Sequence, residues 1–237
     1  MSCELLELEE AAARIHMGAN ELRHVAQRGE IEAIEHNGEW RFPVRQLDEW
    51  AQRSLLAAEH RALKTQHQAM VDAHRRAERH AWRVAGMIRE EAVDVAVGAK
   101  AKAGILRDMT DLAGRSGMVY DPDWLFKALV AREEAASTAI GGGVALLHPR
   151  FHEAYVFEET FVAYGRCERP VFFGATNGEG TRHFFLVCAT DPQTHLKILA
   201  RLAVLAHDTD LVARLDEAQD AASVVAAVRA CEDEVVS

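Results

Sequence analysis

Four shortages bound this 237-residue chain before any motif is read. No apolar run approaches the ~18–20 residues that a bilayer-spanning helix needs, so a membrane span is excluded. The start, Met1-Ser2-Cys3-Glu4-Leu5, is acidic at once and lacks the basic stretch and apolar run of a secretory leader. Cysteine is sparse and scattered. Cys3, Cys167, Cys188 and Cys231 form no CxxC pair, so reduced thiols in a cytoplasmic protein are expected, not a disulfide frame or a zinc knuckle. Positive charge is short, 27 Lys+Arg against 37 Asp+Glu, for a net −10. That excludes a general coat of basic charge for nucleic acid but leaves room for a small DNA-reading surface. What is present is globular: 49% hydrophobic and 27% charged residues supply a core and exclude disordered and collagen-like classes. The length suits one large domain or two modest ones.

Residues 1–53 are short and punctuated. Leu8 to Ile15 has helical apolar spacing and Gly18 is read as its end; Ala19 to Arg28 reads as a second helix closed by Gly29. Two helices joined through a tight Gly-containing turn make a helix-turn-helix pattern. Ile31 to Ile34, the turn His36-Asn37-Gly38-Glu39 and Trp40-Arg41-Phe42-Pro43 predict a hairpin, and Val44 opens another helix. Glu10-Ala11-Ala12, Arg28-Gly29-Glu30-Ile31 and Gly38-Glu39-Trp40-Arg41-Phe42-Pro43, followed by Leu47-Asp48-Glu49-Trp50, resemble the small winged helix-turn-helix domain of the excisionase and MerR-like families. The resemblance implies DNA binding, with the second helix in the major groove and the wing on the backbone. Asn20, Arg23, His24 and Gln27 would then face bases, and Arg28, Asn37 and Arg41 phosphates. The segment carries six Arg and no Lys against eleven Asp+Glu. A lone copy is therefore expected to bind weakly, since affinity draws on neutralised phosphates. A helix-turn-helix that docks protein is the alternative.

Residues 46–91 contain no Pro and one late Gly, Gly86, and predict a long helix, taken as a connecting segment over 54–91. Leu56, Leu63, Met70, Ala77 and Val84 recur every seven residues, each followed four residues later by His60, His67, His74, Ala81 and Ile88. This is the alternating spacing of a coiled-coil seam. It implies a homodimer through residues 56–88, which would lend avidity to a weak head. Its histidine layers would repel on protonation. An amphipathic helix lying on its own protein is the other reading.

Residues 92–237 alternate strand-like and helix-like runs, an α/β pattern. Val93–Val97 alternates as a strand and Lys100–Leu112 has helical period. Asp121-Pro122-Asp123 starts a helix over Trp124–Ala135. Strands are expected at Thr160–Tyr164, Val171–Phe173 and His183–Val187, and Asp191-Pro192 starts the helix that holds His195. His148 and His152 are spaced H-x3-H, but Pro149 between them breaks any helix, so no metal site is expected.

Arg132-Glu133, Ser137-Thr138, Gly141, Gly143-Val144-Ala145 and His148 resemble the phosphoacceptor region of enzyme IIA domains. The class is the fructose/mannitol and nitrogen-regulatory one of the phosphoenolpyruvate-dependent phosphotransferase system. Thr194-His195-Leu196-Lys197-Ile198-Leu199, with Leu202-Ala203, is a second match in the family's order. The resemblance implies a mixed sheet flanked by helices. It makes His148 the acceptor of phosphate from an HPr-type phosphocarrier, with no cofactor of its own. His195 would be the supporting histidine and Arg132 a fixed charge or a loop brace. Thr138 would hold either phosphate or loop, and the glycines would turn the loop tightly and admit a partner's backbone. The family usually places Pro before the acceptor; here Leu147 precedes His148 and Pro149 follows. Together the segments imply a cytoplasmic regulator that couples a phosphohistidine domain to DNA. A phosphocarrier whose head only docks, or a degenerate non-phosphorylated sensor, is the alternative.

Overall fold

The computed structural model describes residues 4–36, 39–57, 82–150 and 156–236. They fall in two units, Met1–Arg79 and His80–Ser237.

In the first unit β1 (Leu5–Glu7) leads into α1 (Leu8–Arg14) and α2 (Ala19–Gln27). The hairpin β2 (Ile34–His36) and β3 (Glu39–Pro43) runs into α3 (Val44–Ala57). The sheet order is β1-β3-β2, antiparallel throughout, with Leu6 opposite Phe42 and Glu35 opposite Trp40. A hairpin forms as expected, but its first strand is Ile34–His36 and not Ile31–Ile34, and His36 pairs with Glu39 in the ladder; β1 is three residues long and too short for alternation to betray it. Gly18 does not end α1, as expected from sequence. His16 does, in the left-handed region at φ 54, with Met17 N–H donating to Ala12 O at 2.9 Å and His16 N–H to Ala13 O at 3.3 Å. Gly29 closes α2 by the same device. Ala12, Ile15, Leu22, Val25, Phe42 and Leu47 are buried as this unit's core. Arg14 forks onto Asp48 at 2.7 and 2.8 Å, tying α1 to α3.

The heptad positions from His60 to Ala81 lie outside the described residues, while Leu56 falls within α3. The expected helix does not extend to residue 91. Val84–Met87 form one turn of 3-10 helix and Ile88–Val97 the strand β4, so Val84 and Ile88 belong to the second unit's core and not to a seam. The buried carboxylate of Glu232 explains the break. It accepts the N–H groups of Val84 at 2.9 Å and Ala85 at 3.0 Å, and Arg201 Nη1 lies 3.5 Å away. Those two amides are thus bound by a side chain distant in sequence.

The second unit continues with α4 (Lys102–Arg115), α5 (Pro122–Ala135), β5 (Ala139–Gly141) and β6 (Val144–Leu147). After these come β7 (Phe161–Val171), β8 (Thr181–Cys188), α6 (Pro192–Asp208), α7 (Leu211–Glu217) and α8 (Ala221–Val236). The strand order is β4-β7-β8-β6-β5. β4/β7 and β6/β8 are parallel; β7/β8 and β5/β6 are antiparallel, giving the mixed sheet expected. Period-two alternation divides the faces. Ala145, Leu147, Phe161, Ala163, Phe184 and Leu186 pack in one core with α4 and α5, while α6 packs against β6 and β8. Asp121 and Asp191 cap α5 and α6, each with Pro at the first position.

The strand expected at Val171–Phe173 is instead the end of β7. A register shift between Arg166 and Val171 takes in Pro170, which cannot donate to a ladder, and Phe172 leaves the strand 73% exposed.

Gly165 lets α4 approach β7. A Cβ there would lie 2.5 Å from Met109 Sδ and 2.9 Å from Val97 Cγ2. Gly165→Ala is therefore expected to cost about 1–3 kcal/mol, read as a lower urea midpoint. His183 is buried, its Nδ1 sharing a hydrogen bond with the Tyr164 hydroxyl at 2.8 Å and its Nε2 3.3 Å from Asp216 Oδ1. Burial, with Arg182 and Arg166 nearby, outweighs Asp216 and lowers its pKa to about 4. The unfolded chain then takes up this proton first, near pH 6.5. The contribution is complete above pH 6.5 and is lost as pH falls toward 4. By pH 5 the loss is on the order of 1–2 kcal/mol, and His183→Gln flattens the pH dependence of the denaturation midpoint.

Candidate functional site

His148 is the first residue after β6, and His195 lies in the first turn of α6, the helix that follows β8. The parallel register from Val144↔His183 to Leu147↔Leu186 puts the carboxyl ends of both strands side by side. The two histidines therefore meet: their ring centroids are 5.1 Å apart with planes at 64°, and both are fully buried. Arg132, from the last turn of α5, joins them. Its Nε lies 3.0 Å from His148 Nε2, and its Nη1 donates to Ala136 O at 2.8 Å.

These contacts fix the state of the imidazole. His148 Nδ1 lies 2.7 Å from Leu146 O. A carbonyl only accepts, so Nδ1 carries the proton and donates. Nε2 therefore holds the lone pair, accepts from Arg132 Nε and faces a cation. The arrangement offers a nucleophilic nitrogen and a planar guanidinium fork able to bind an oxyanion. Leu147 in the place of the family's usual Pro has a physical account. Leu146 N–H donates to Thr138 O, so the next amide turns toward β8, and a residue with an N–H there carries the ladder up to His148.

A second layer braces this one. Glu133, buried beside Arg132, accepts from Thr138 N at 2.9 Å and Thr138 Oγ1 at 2.6 Å, and its other oxygen accepts from Lys102 Nζ at 2.8 Å. Thr138 is thus engaged in the loop by both its amide and its hydroxyl. Lys102 also sits 5.0 Å over the Phe173 ring, and Ser137 Oγ donates to the Phe173 carbonyl. Sequence reasoning quoted Glu133 without assigning it work and passed over Lys102, whose partner is 31 residues away. Gly141, Gly142 and Gly143, at φ 85, 59 and 79, form the β5–β6 turn, which the register puts at the far end of β6 from His148. They turn that loop tightly, as expected from sequence, and close the β5–β6 hairpin.

In the first unit, α2 buries Leu22, Val25 and Ala26 and exposes Asn20, Arg23, His24, Gln27 and Arg28. Arg28 is ion-paired with Glu30, which holds that carboxyl below its ordinary range. Arg41 lies 3.1 Å from Glu39 and 3.0 Å from Glu7. Asn37 and His152 lie outside the described residues. Among the described residues no group of three His, Cys, Asp or Glu side chains is placed to hold a metal, and no helix is long and apolar enough to cross a membrane. Burial pushes the Cys167 thiol up to about 11 and raises Cys188 further, so neither is a thiolate nucleophile near neutrality.

Glu133 tests the bracing layer. Glu133→Ala strips the buried Thr138 N–H and hydroxyl of their acceptor and is expected to cost about 1–3 kcal/mol by thermal melting. Glu133→Gln, which keeps an acceptor oxygen, is expected to cost less. Equal losses would mean that the acceptor is unimportant.

Residues 87–231 match the family described as the phosphoenolpyruvate-dependent sugar phosphotransferase system, EIIA 2. A nitrogen regulatory protein of Bradyrhizobium diazoefficiens is 33% identical over 102 residues, which cover 42% of this chain and 65% of that relative. The fructose-specific EIIABC component of Bacillus subtilis is 24% identical over 145 residues, 60% of this chain but 22% of its own length. The chain thus spans under two thirds of either relative. In fold, the nitrogen regulatory protein IIA-Ntr of Neisseria meningitidis superposes with a TM-score of 0.56 at 23% identity, over 61% of this chain and 98% of that one. Through its second unit, this chain belongs to the EIIA 2 family of the phosphoenolpyruvate-dependent sugar phosphotransferase system.

Proposed function

We propose that the chain is a cytoplasmic regulator whose second unit accepts phosphate on His148 Nε2 from an HPr-type phosphocarrier and whose first unit binds DNA. The observation that carries the first half is the tautomer. Leu146 O accepts the hydrogen bond from Nδ1–H, so Nε2 presents its lone pair beside the Arg132 guanidinium.

In the transfer, Nε2 attacks phosphorus in line with the carrier's phosphohistidine. A P–N bond forms to His148 as the carrier's P–N bond breaks, its electron pair returning to the carrier's nitrogen. Nδ1–H stays on Leu146 O, where the carbonyl stabilises the charge that develops on the ring. Arg132 gives up its bond to Nε2 and turns its fork to the phosphoryl oxygens, with Nη1 still anchored on Ala136 O. His195, edge-on to His148 in the opening turn of α6, holds the acceptor ring in place next to the positive end of that helix. The product gains between one and two negative charges.

For the first unit, α2 supports the DNA reading by presenting Asn20, Arg23, His24 and Gln27 together on one exposed face. Pairing of two copies through the connecting segment, with its heptads from Leu56 and its histidine rows, would double the weak contact. The carboxylate pairing of Arg28 and Arg41 favours a second reading, a phosphocarrier whose first unit docks protein.

Intact-protein mass after incubation with a phosphoenolpyruvate-charged HPr relay, at neutral to basic pH, tests the acceptor. Wild type is expected to gain one phosphate and His148→Ala none, while Arg132→Gln slows the gain by roughly 10–100-fold. A gain that survives in His148→Ala, or no gain in wild type, would defeat the assignment. Binding of genomic fragments before and after phosphorylation then separates the readings. Unchanged DNA affinity together with onward transfer to an enzyme IIB protein would favour the carrier.

A further inference from the structure

Away from His148, a cavity of about 760 Å3 opens where β4 ends in Gly98-Ala99-Lys100, alongside the last half of β7. Its size lies within the ~300–1,000 Å3 of small-molecule sites. The position separates it from the phosphoacceptor. Arg182, in its wall, stands near the start of β8, whereas His148 follows the strand partner of Leu186 toward the other end.

The charge of this cavity runs against that of the chain. Lys100, Arg166, Arg169 and Arg182 line it, with Glu168 as the one acid, in a protein of net charge −10. Lys100, Arg166 and Arg169 pair with no carboxylate among the described residues, while Arg182 is neutralised by Asp216 at 2.7 Å. Asp94 and Asp108 adjoin the wall through its Ala96 and Ala99 amides, and among the described residues only Asp94 of the two is answered by a cation. Asp94 faces Arg115 and the Ala96 amide, and Asp108 accepts from the Ala99 amide. Two of the cations are already fixed. Arg166 donates to Val95 O at 3.2 Å and Asp216 O at 2.8 Å, and Arg182 Nε to Cys167 O at 3.3 Å. Neutral carbonyls position these guanidinium groups without cancelling the charge of Arg166, so little ordering is left for binding to supply. Lys100 and Arg169 are exposed and able to close over an occupant.

We infer that this cavity binds a compact small molecule bearing more than one phosphate, such as a sugar bisphosphate. Several separated cations select for multiple negative charges, and Arg forks suit phosphate oxygens. No lining residue is aromatic, so a nucleotide base has no ring to stack on; the buried side chains of Val97, Cys167 and Val171 offer only a small apolar wall. The Cys167 thiol is protonated and takes no covalent part.

Calorimetric titration of the full chain with pyrophosphate, a hexose 1,6-bisphosphate and ATP, at roughly physiological ionic strength, tests this. Pyrophosphate and the bisphosphate are expected to saturate at one site. The double variant Lys100→Ala/Arg169→Ala should weaken both at least tenfold with an unchanged melting temperature, since both residues are exposed. Glu168→Gln should tighten both, and His148→Ala should leave both unaltered. Absence of saturation, equal affinity in the double variant, dependence on His148, or ATP binding more tightly than the bisphosphate would each overturn the proposal.

Discussion

β6 and β8 run parallel and side by side, so both deliver their chain at the same edge of the sheet, one into a loop and one into a helix. Ligands of open α/β sheets gather beyond the carboxyl ends of parallel strands for this reason. Here the pairing sets His148 against His195 although 46 residues separate them in the sequence. Other features of the site are arranged around that constraint. Asp191 and Pro192 start α6 at the right place, and α5 ends where Arg132 can reach the ring. Because Leu146 O, one residue short of the strand end, accepts the hydrogen bond from Nδ1–H, the strand itself selects which nitrogen of His148 keeps its lone pair.

The two layers of the site answer different needs. The inner one, Arg132 with the histidines, has alternatives: Arg132 can hold an imidazole nitrogen or an oxyanion, but not both with the same N–H. The outer one has none. Glu133 is a buried carboxylate with its acceptors filled by Thr138 and Lys102, and removing any one partner strands a charge or an amide. A cation with a choice of partners inside a braced frame suits the phosphoryl transfer proposed for this site, since such a reaction asks for little covalent chemistry from the protein and much positioning.

Much of this was legible in the sequence where the signal is local. Asp-Pro helix starts, the Asn-Gly hairpin and the two histidine motifs each occupy a few consecutive residues with a direct physical meaning. Gly29 as a helix stop belongs with them. What escaped was set by distant partners. The end of the helical pattern before residue 84 depends on Glu232, 148 residues from Val84. Residues 84–88 carry on an apolar repeat that a seam and a core share, so periodicity could not separate them. His16 stops α1 in a conformation most residues avoid, and nothing in Arg14-Ile15-His16-Met17 advertises it. Lys102 is invisible for the same reason as Glu232.

The Glu232 contact also bears on how the molecule is made. The amides of Val84 and Ala85, at the entrance of the second unit, are satisfied by a carboxylate on its sixteen-residue last helix. On the ribosome that entrance stays open until α8 has emerged, because its partner lies 148 residues further along the chain. The described residues of the first unit, which end with α3 at Ala57, emerge well before then. Closure of the second unit at Val84 and Ala85 is therefore a late event relative to the synthesis of its own strands.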